Sequence, residues 1–308
     1  MLRINRILFP TDGSDAAATA FLQAAALAEW HDAELHIFNV TDDRDEADLS
    51  VPVSDRTLTD WLGAVPSGMN APNLQALSLT QKQVEADAPA ERILAYVEDQ
   101  DIDLIVMGTH GRRGLSRVLL GSVTEAVVRR APCPVFVVRS DEEAVSSQHA
   151  VRRILVPIDF SDASHEAIRH ATEIAQTYGA EIHLLHVVEE VVYPSAYGMG
   201  DAYFPTQNVI KKVEETLAEM ARDEIGYEHI MIAAVVGYAP LSIIDYAEEN
   251  EVDLIVIATH GRSGFERMLL GSVAERVIRQ APVPVFIVKP ERKSLVPPAK
   301  STAVAGKT

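Results

Sequence analysis

A single cysteine, Cys133, is all the thiol in this chain of 308 residues. That excludes an internal disulfide framework and fits a reducing cytoplasm. Flanked by Pro132 and Pro134 at the start of an apolar run, Cys133 reads as a buried structural thiol rather than a reactive one. Positive charge is also scarce, with 27 Lys and Arg against 45 Asp and Glu and a net charge of −18. Both halves are acidic, so neither offers the field that a nucleic-acid backbone requires, and nucleic acid is not expected as a partner. No apolar run reaches the roughly 18 residues of a membrane span, and the first ten residues lack a signal-peptide layout. The expectation is a cytoplasmic protein with no membrane partner. Neither G-x-x-x-x-G-K-[S/T] nor G-x-G-x-x-G occurs, which removes the Walker-type ATPases and the Rossmann dinucleotide fingerprint. No cluster of His, Cys and Asp stands at metal-ligand spacing, so no metal centre is expected.

What the chain does have is itself, twice. Arg6-Ile-Leu-Phe-Pro-Thr-Asp12 returns as Arg153-Ile-Leu-Val-Pro-Ile-Asp159, and Ala131-Pro-Cys-Pro-Val-Phe-Val-Val138 as Ala281-Pro-Val-Pro-Val-Phe-Ile-Val288. Leu104 to Ser122 and Leu254 to Ser272 agree at 13 of 19 positions. A period near 150 residues is too long for a solenoid and marks a duplicated domain. The boundaries read as 1–140 for the first copy and 151–290 for the second. Residues 140–150 (SDEEAVSSQHA) form a polar linker, and 291–308 a flexible tail, basic and proline-bearing.

Apolar runs alternate with helical patterns through each copy. In the first, strands are expected at Ile4–Phe9 (ended by Pro10), Glu34–Val40, Leu74–Val84, Leu104–Gly108 and Val135–Val138. Helices are expected from a Ser14 or Asp15 cap to Trp30, around Thr57–Gly63, from Pro89 to about Gln100, and over Gly121–Arg130. The second copy repeats the order, with strands at Ile154–Ile158, Glu181–Val188, His229–Val236, Leu254–Ala258 and Val285–Val288. Its helices are expected over Ala163–Tyr178, Val209–Glu224, Pro240–Glu249 and Ser272–Gln280. Such alternation gives an α/β fold, a parallel sheet covered on both faces.

In a doubly wound sheet, ligands bind beyond the carboxyl ends of strands where the strand order reverses. Two such ends are unusual here. The first strand runs into Pro10-Thr-Asp12-Gly-Ser14, and the fourth into Gly108-Thr-His-Gly111-Arg112-Arg-Gly114, with Gly121-Ser122 opening the next helix. Glycines let backbone N–H groups come close to phosphate, and a helix N-terminus adds partial positive charge. Ser122 adds a hydroxyl donor, Arg112 or Arg113 a charge, and Asp12 an acceptor for ribose hydroxyls or an adenine amino group. The competing interpretation is that these glycines only make a turn and a helix start. His110 and His260 suit a loop-stabilising hydrogen bond better than catalysis. Tyr193, Tyr197, Tyr203 and Phe204 occupy a Pro/Gly loop that either covers a ligand or packs on its own domain. The run 42–48 is an acidic solvated loop.

Gly108-x-x-Gly111, nine residues and then Gly121-Ser122, with the initial Pro10-x-Asp12 and the Ala-Pro-Cys-Pro-Val-Phe-Val-Val ending, resembles the universal stress protein family across both halves. The resemblance implies, for each copy, a five-stranded parallel sheet of order 3-2-1-4-5 with helices on both faces. It also implies an adenine nucleotide as ligand: ATP, with AMP and ADP as alternatives and Mg²⁺ as ATP's usual companion. Asp12 and Val40 would meet ribose and adenine beside Pro10. Gly108, Gly111, Arg112, Gly121, Ser122 and Val123 would surround the phosphates. The matching positions of the second copy are Pro157, Asp159, Val187, Gly261, Arg262, Gly271, Ser272 and Val273. Ala258 departs from the pattern by replacing Gly108, which points to a stronger site in the first copy. No catalytic residue is assigned. A slow ATPase or nucleotidyl or phosphoryl transferase, and a nucleotide-free interaction module, stand as alternatives to a regulatory nucleotide binder. The fifth strand, apolar and at an edge, invites pairing between the two copies as an intramolecular pseudo-dimer, with a homodimer of the tandem left open.

Overall fold

The computed structural model describes residues 2–41, 53, 55–63, 65, 72–109, 120–139, 151–189, 207–259, 270–290 and 292–297. Gly111, Arg112, Gly261, Arg262, His110, His260, the linker at 140–150, the acidic run at 42–48 and the aromatics Tyr193, Tyr197, Tyr203 and Phe204 lie outside the described residues.

The first copy supplies strands β1 (Arg6–Thr11), β2 (Glu34–Thr41), β3 (Leu79–Glu85), β4 (Leu104–Gly108) and β5 (Val135–Val138). Its helices are α1 (Ala18–His31), α2 (Asp55–Gly63), α3 (Pro89–Asp99) and α4 (Ser122–Arg130). The second supplies β6 (Arg153–Pro157), β7 (Glu181–Val188), β8 (Ile230–Val236), β9 (Leu254–Ala258) and β10 (Val285–Val288). With them come α5 (Asp162–Tyr178), α6 (Gln207–Glu224), α7 (Ala239–Glu249) and α8 (Ser272–Gln280). Alternate strand residues go to opposite faces, as the period of two requires. Ile7, Phe9, Leu35 and Ile37 pack with α1 and α2, while Leu8, Phe38, Ile105 and Met107 pack with α3 and α4. On the first of these faces Phe9, Phe21 and Trp61 form an aromatic cluster with centroids 5.4–6.1 Å apart.

All ten strands belong to one sheet in the order β3-β2-β1-β4-β5-β10-β9-β6-β7-β8. Every pairing is parallel except the middle one, where β5 and β10 run antiparallel with Phe136 opposite Phe286. The two rings lie 6.3 Å apart, centroid to centroid. Arg139 donates across this seam to the carbonyl of Ala281 at 3.0 Å. The apolar fifth strand is therefore no edge; β3 and β8 are the outer strands.

Several local expectations are corrected. Pro10 does not end β1, which continues to Thr11. The β1–β4 register covers only Ile7 and Leu8, so Pro10 lies where β2 alone flanks the strand and a missing N–H is tolerated. The N-cap of α1 is Ala17, not Ser14 or Asp15 as expected, because a short 3-10 turn over Asp15–Ala17 precedes the helix; the Ser14 hydroxyl donates to Asp12. The third strand begins at Leu79, not Leu74, because Asn73 accepts from the amide of Gln75 at 3.1 Å and turns the chain there. The tail is not flexible throughout: over residues 292–297, Leu295 and Val296 are buried. These two apolar side chains find a groove that the basic and proline-rich composition around them concealed.

Candidate functional site

In each copy the strand order reverses between the first and fourth strands, β1 and β4 or β6 and β9. The carboxyl ends of these neighbours bring the two unusual segments together. Asp12 follows β1 directly, Gly108 is the last residue of β4, and Gly121 is the N-cap of α4.

The mouth of the first copy is fastened by short hydrogen bonds. Gly121 N–H donates to the Thr109 carbonyl at 2.8 Å, and Thr109 N–H donates to Val138 at 3.0 Å. The Thr124 hydroxyl, in the first turn of α4, donates to the Gly108 carbonyl at 2.9 Å. The N-cap of α4 is Gly121, which has no side chain to cap it, and at this positive end of the helix dipole Ser122 is exposed and Val123 half-buried. A Cβ built on Gly121 would lie 3.2 Å from the Thr109 carbonyl oxygen. Glycine is used here for closeness, since its φ of −58° suits any residue. The first-turn amides of α4 and the Ser122 hydroxyl are donors of the kind a phosphate takes. The arrangement fits that group.

On the facing segment, the Asp12 carboxylate accepts from the Ser14 amide at 3.0 Å and from its hydroxyl at 2.6 Å. These bonds fix its direction beside the mouth. Gly13 between them has φ 74°, a left-handed turn that glycine adopts without strain. Pro10 is buried and Val40, near the end of β2, is half-buried. Asn39 next to Val40 donates to the Thr11 carbonyl at 3.1 Å and ties the ends of β1 and β2 together.

The second copy repeats the frame with substitutions. Gly271 N–H donates to Thr259 at 2.8 Å, a Cβ on Gly271 would lie 3.1 Å from that carbonyl oxygen, and α8 has no side-chain cap. Ser272 is exposed, with Val273, Val187, Pro157 and Asp159 half-buried around it. Alanine stands at 258 for Gly108 and at 274 for Thr124, so the hydroxyl bolt between strand end and helix is missing. The Asp159 carboxylate accepts from the Ser161 amide at 3.1 Å and from the hydroxyls of Ser161 and Ser164, each at 2.5 Å. Phe160 takes the place of Gly13 at φ 60°, a conformation costing a bulky residue on the order of 1–3 kcal/mol. Its ring lies 4.7 Å from that of His186, which replaces Asn39 and donates to the Ile158 carbonyl at 2.6 Å.

Sequence reasoning singled out Asp12, Gly108, Gly121, Ser122 and Val123, and the fold brings all five to one end of the sheet. It missed Thr124 and Asn39. The available signal was the contrast with Ala274 and His186 at equivalent positions. Thr124→Val should leave the half-buried Gly108 carbonyl without this donor and cost about 1 kcal/mol. Thr124→Ser should retain most of that stability, and urea denaturation of the two variants checks the pair.

Cys133 is fully buried, and burial pushes its thiol up to about 12. Among the described residues no group of three or more His, Cys, Asp or Glu is placed to hold a metal ion. Among them also, no helix is long and apolar enough to cross a membrane.

The model of the Universal stress protein family matches residues 3–139 and again 150–289. The universal stress protein MJ0531 of Methanocaldococcus jannaschii is 34% identical over 150 residues, covering 48% of this chain and 88% of that protein. The universal stress protein Rv2005c of Mycobacterium tuberculosis is 34% identical over 191 residues, which span 61% of this chain and 62% of that one. Among solved structures, that of a universal stress protein from Archaeoglobus fulgidus superposes with a TM-score of 0.61 at 23% identity, covering 93% of this chain and 99% of the other. That likeness establishes the fold.

Proposed function

The chain belongs to the universal stress protein family, and on that premise we propose that it is a regulatory protein that binds an adenine nucleotide, ATP foremost. In the first copy, Gly108, Gly111, Arg112, Gly121, Ser122 and Val123 hold the phosphates, and Asp12, Pro10 and Val40 meet ribose and adenine. The observation that carries this reading is the start of α4 at the end of β4, set at an N-cap glycine that brings no capping side chain of its own and whose Cβ would crowd the Thr109 carbonyl. Helix-dipole charge and close backbone approach coincide there beside a carboxylate. The triphosphate brings Mg²⁺ as its counter-ion; the chain's own groups bind, orient and partly neutralise the phosphates. Occupancy then biases the shape or partners of the protein by its differential affinity for two states. AMP and ADP are the alternative ligands.

The second site is the weaker of the two. Ala258 and Ala274 loosen its phosphate side, while Phe160 stands at the left-handed turn that Gly13 makes without strain. We also place the two copies as an intramolecular pair and the protein in the cytoplasm, where its one thiol needs no partner. Mass spectrometry of the gently purified full chain under native conditions should detect one bound adenine nucleotide more readily than two. Titration calorimetry of the stripped chain should then give a tight and a weak step for ATP. The absence of bound nucleotide together with no heat on adding ATP, ADP or AMP would overturn the reading.

A further inference from the structure

Shortly after β10, residues 292–297 form a strap that touches both copies. Lys293 N–H donates to the Pro132 carbonyl at 3.0 Å. The Lys293 ammonium donates to the Asp101 carbonyl at 2.9 Å and reaches the carboxylates of Asp101 and Asp103 at 2.7 and 2.8 Å. The Leu295 carbonyl accepts from the Arg3 amide at 2.9 Å. Those are first-copy partners. On the second copy, Ser294 donates to Glu166 at 2.7 Å and Arg169 donates to the Pro297 carbonyl. Leu295 itself, 1% exposed, donates its amide to Nε2 of His170 at 3.2 Å.

His170 in α5 has no solvent-exposed surface, and its protonation state follows from its two neighbours. Nδ1 lies 2.9 Å from the Glu166 carbonyl, which can only accept, so Nδ1 carries the proton. The Leu295 amide can only donate, so Nε2 must be bare. The strap thus requires the neutral imidazole with its proton on Nδ1. An imidazolium would turn a second N–H against the Leu295 N–H and forfeit that bond.

We propose that His170 is an acid-sensitive latch, whose protonation frees the strap 292–297 from the seam between the two copies. The groups facing the ring are few. Its own helix presents Glu166, with a carboxylate oxygen 3.5 Å from Nδ1, and the charges of Arg169 and Glu173. The strap presents the Leu295 amide and the Ser294 hydroxyl at 3.5 Å. β10 presents the Phe286 ring, 5.9 Å away. Burial lowers the His170 pKa from its ordinary value, ahead of the opposing pull of Glu166. The sign follows: once the strap opens, the ring binds protons near its ordinary pKa of roughly 6.5, whereas the closed form takes them only at lower pH. Closure is full above that ordinary pKa and weakens as pH falls below it.

Hydrogen exchange on the full chain, corrected for the intrinsic rate at each pH, tests the latch. Protection of the Leu295 and Arg3 amides should hold from pH 7.5 to 6.5 and drop about tenfold by pH 5.5, the slope of one proton. In His170→Gln, whose amide oxygen can accept from Leu295 without titrating, protection should be flat over the same interval. A wild-type profile independent of pH overturns the proposal whether or not the variant folds. A variant that follows the wild-type drop overturns it equally, by assigning the proton to another group.

Discussion

Phe136→Asp is expected to part the sheet at its middle and destabilise the chain by about 4 kcal/mol or more. Phe136 is 9% exposed, stands directly opposite Phe286 in the antiparallel pair, and meets its ring at 6.3 Å. Removing a buried phenyl ring costs roughly 3–5 kcal/mol. An unpaired carboxylate in its place adds a desolvation penalty that neither neighbouring strand relieves. Each copy retains its own helices and four other strands, so the loss should fall on the junction. Circular dichroism should keep most of its helical signal while small-angle scattering reports a larger radius and the urea midpoint drops. Phe136→Leu, which keeps an apolar side chain, should cost only about 1 kcal/mol. An unchanged radius and midpoint in Phe136→Asp would mean that β5 and β10 do not hold the copies together.

The second large effect concerns ligand binding. Gly121→Val is expected to weaken ATP binding at the first site at least tenfold, about 1.4 kcal/mol, while leaving the fold intact. The backbone there, φ −58° and ψ 141°, accepts valine without strain. The cost arises from the Cβ, 3.2 Å from the Thr109 carbonyl, and from the two methyls beyond it. They push the start of α4 away from β4 and break the 2.8 Å bond from residue 121 to Thr109. Gly271→Val meets an equivalent wall, at 3.1 Å, and should abolish the weak calorimetric step alone. Gly63→Ala, with nothing within 4 Å of the added carbon, serves as the neutral control. Loss of the tight step in Gly271→Val rather than Gly121→Val would reverse the assignment of the sites.

How much of this was legible in the residues depended on the range of the interaction responsible. β4, β5, β9, β10 and α8 fall where the apolar runs and flanking glycines put them, because burial and turn chemistry act there within a few residues. Leu74 and Leu77 suited a strand, yet a side-chain bond from Asn73 turned the chain first. Val135–Val138 announced a sticky edge, and only the repeat, which supplies the matching run Val285–Val288, named a partner for it; a partner 150 residues away leaves no local mark. Leu295 and Val296 were two apolar residues in a basic, proline-bearing stretch, too few to outweigh its composition until a groove was supplied. At the candidate site the glycines could be read for closeness and Asp12 for its carboxylate. The work of Thr124 could not, since a threonine in a first helical turn looks the same whether or not its hydroxyl reaches a strand end.

The antiparallel pairing of β5 with β10 has a geometric consequence for how the molecule can respond to ligand. Every other strand pairing is parallel, so reversing direction at that one junction makes the strands of one copy point opposite to those of the other. The two clefts consequently open on opposite rims of a single sheet. β4 and β9 are separated by only three strand spacings, roughly 14 Å, yet no lid can close over both openings and no small molecule can bridge them. Any influence of one occupied rim on the other passes laterally, through the ladder with its two facing phenylalanines and through the side contacts between the copies, such as Arg139 on the Ala281 carbonyl and the strap of residues 292–297.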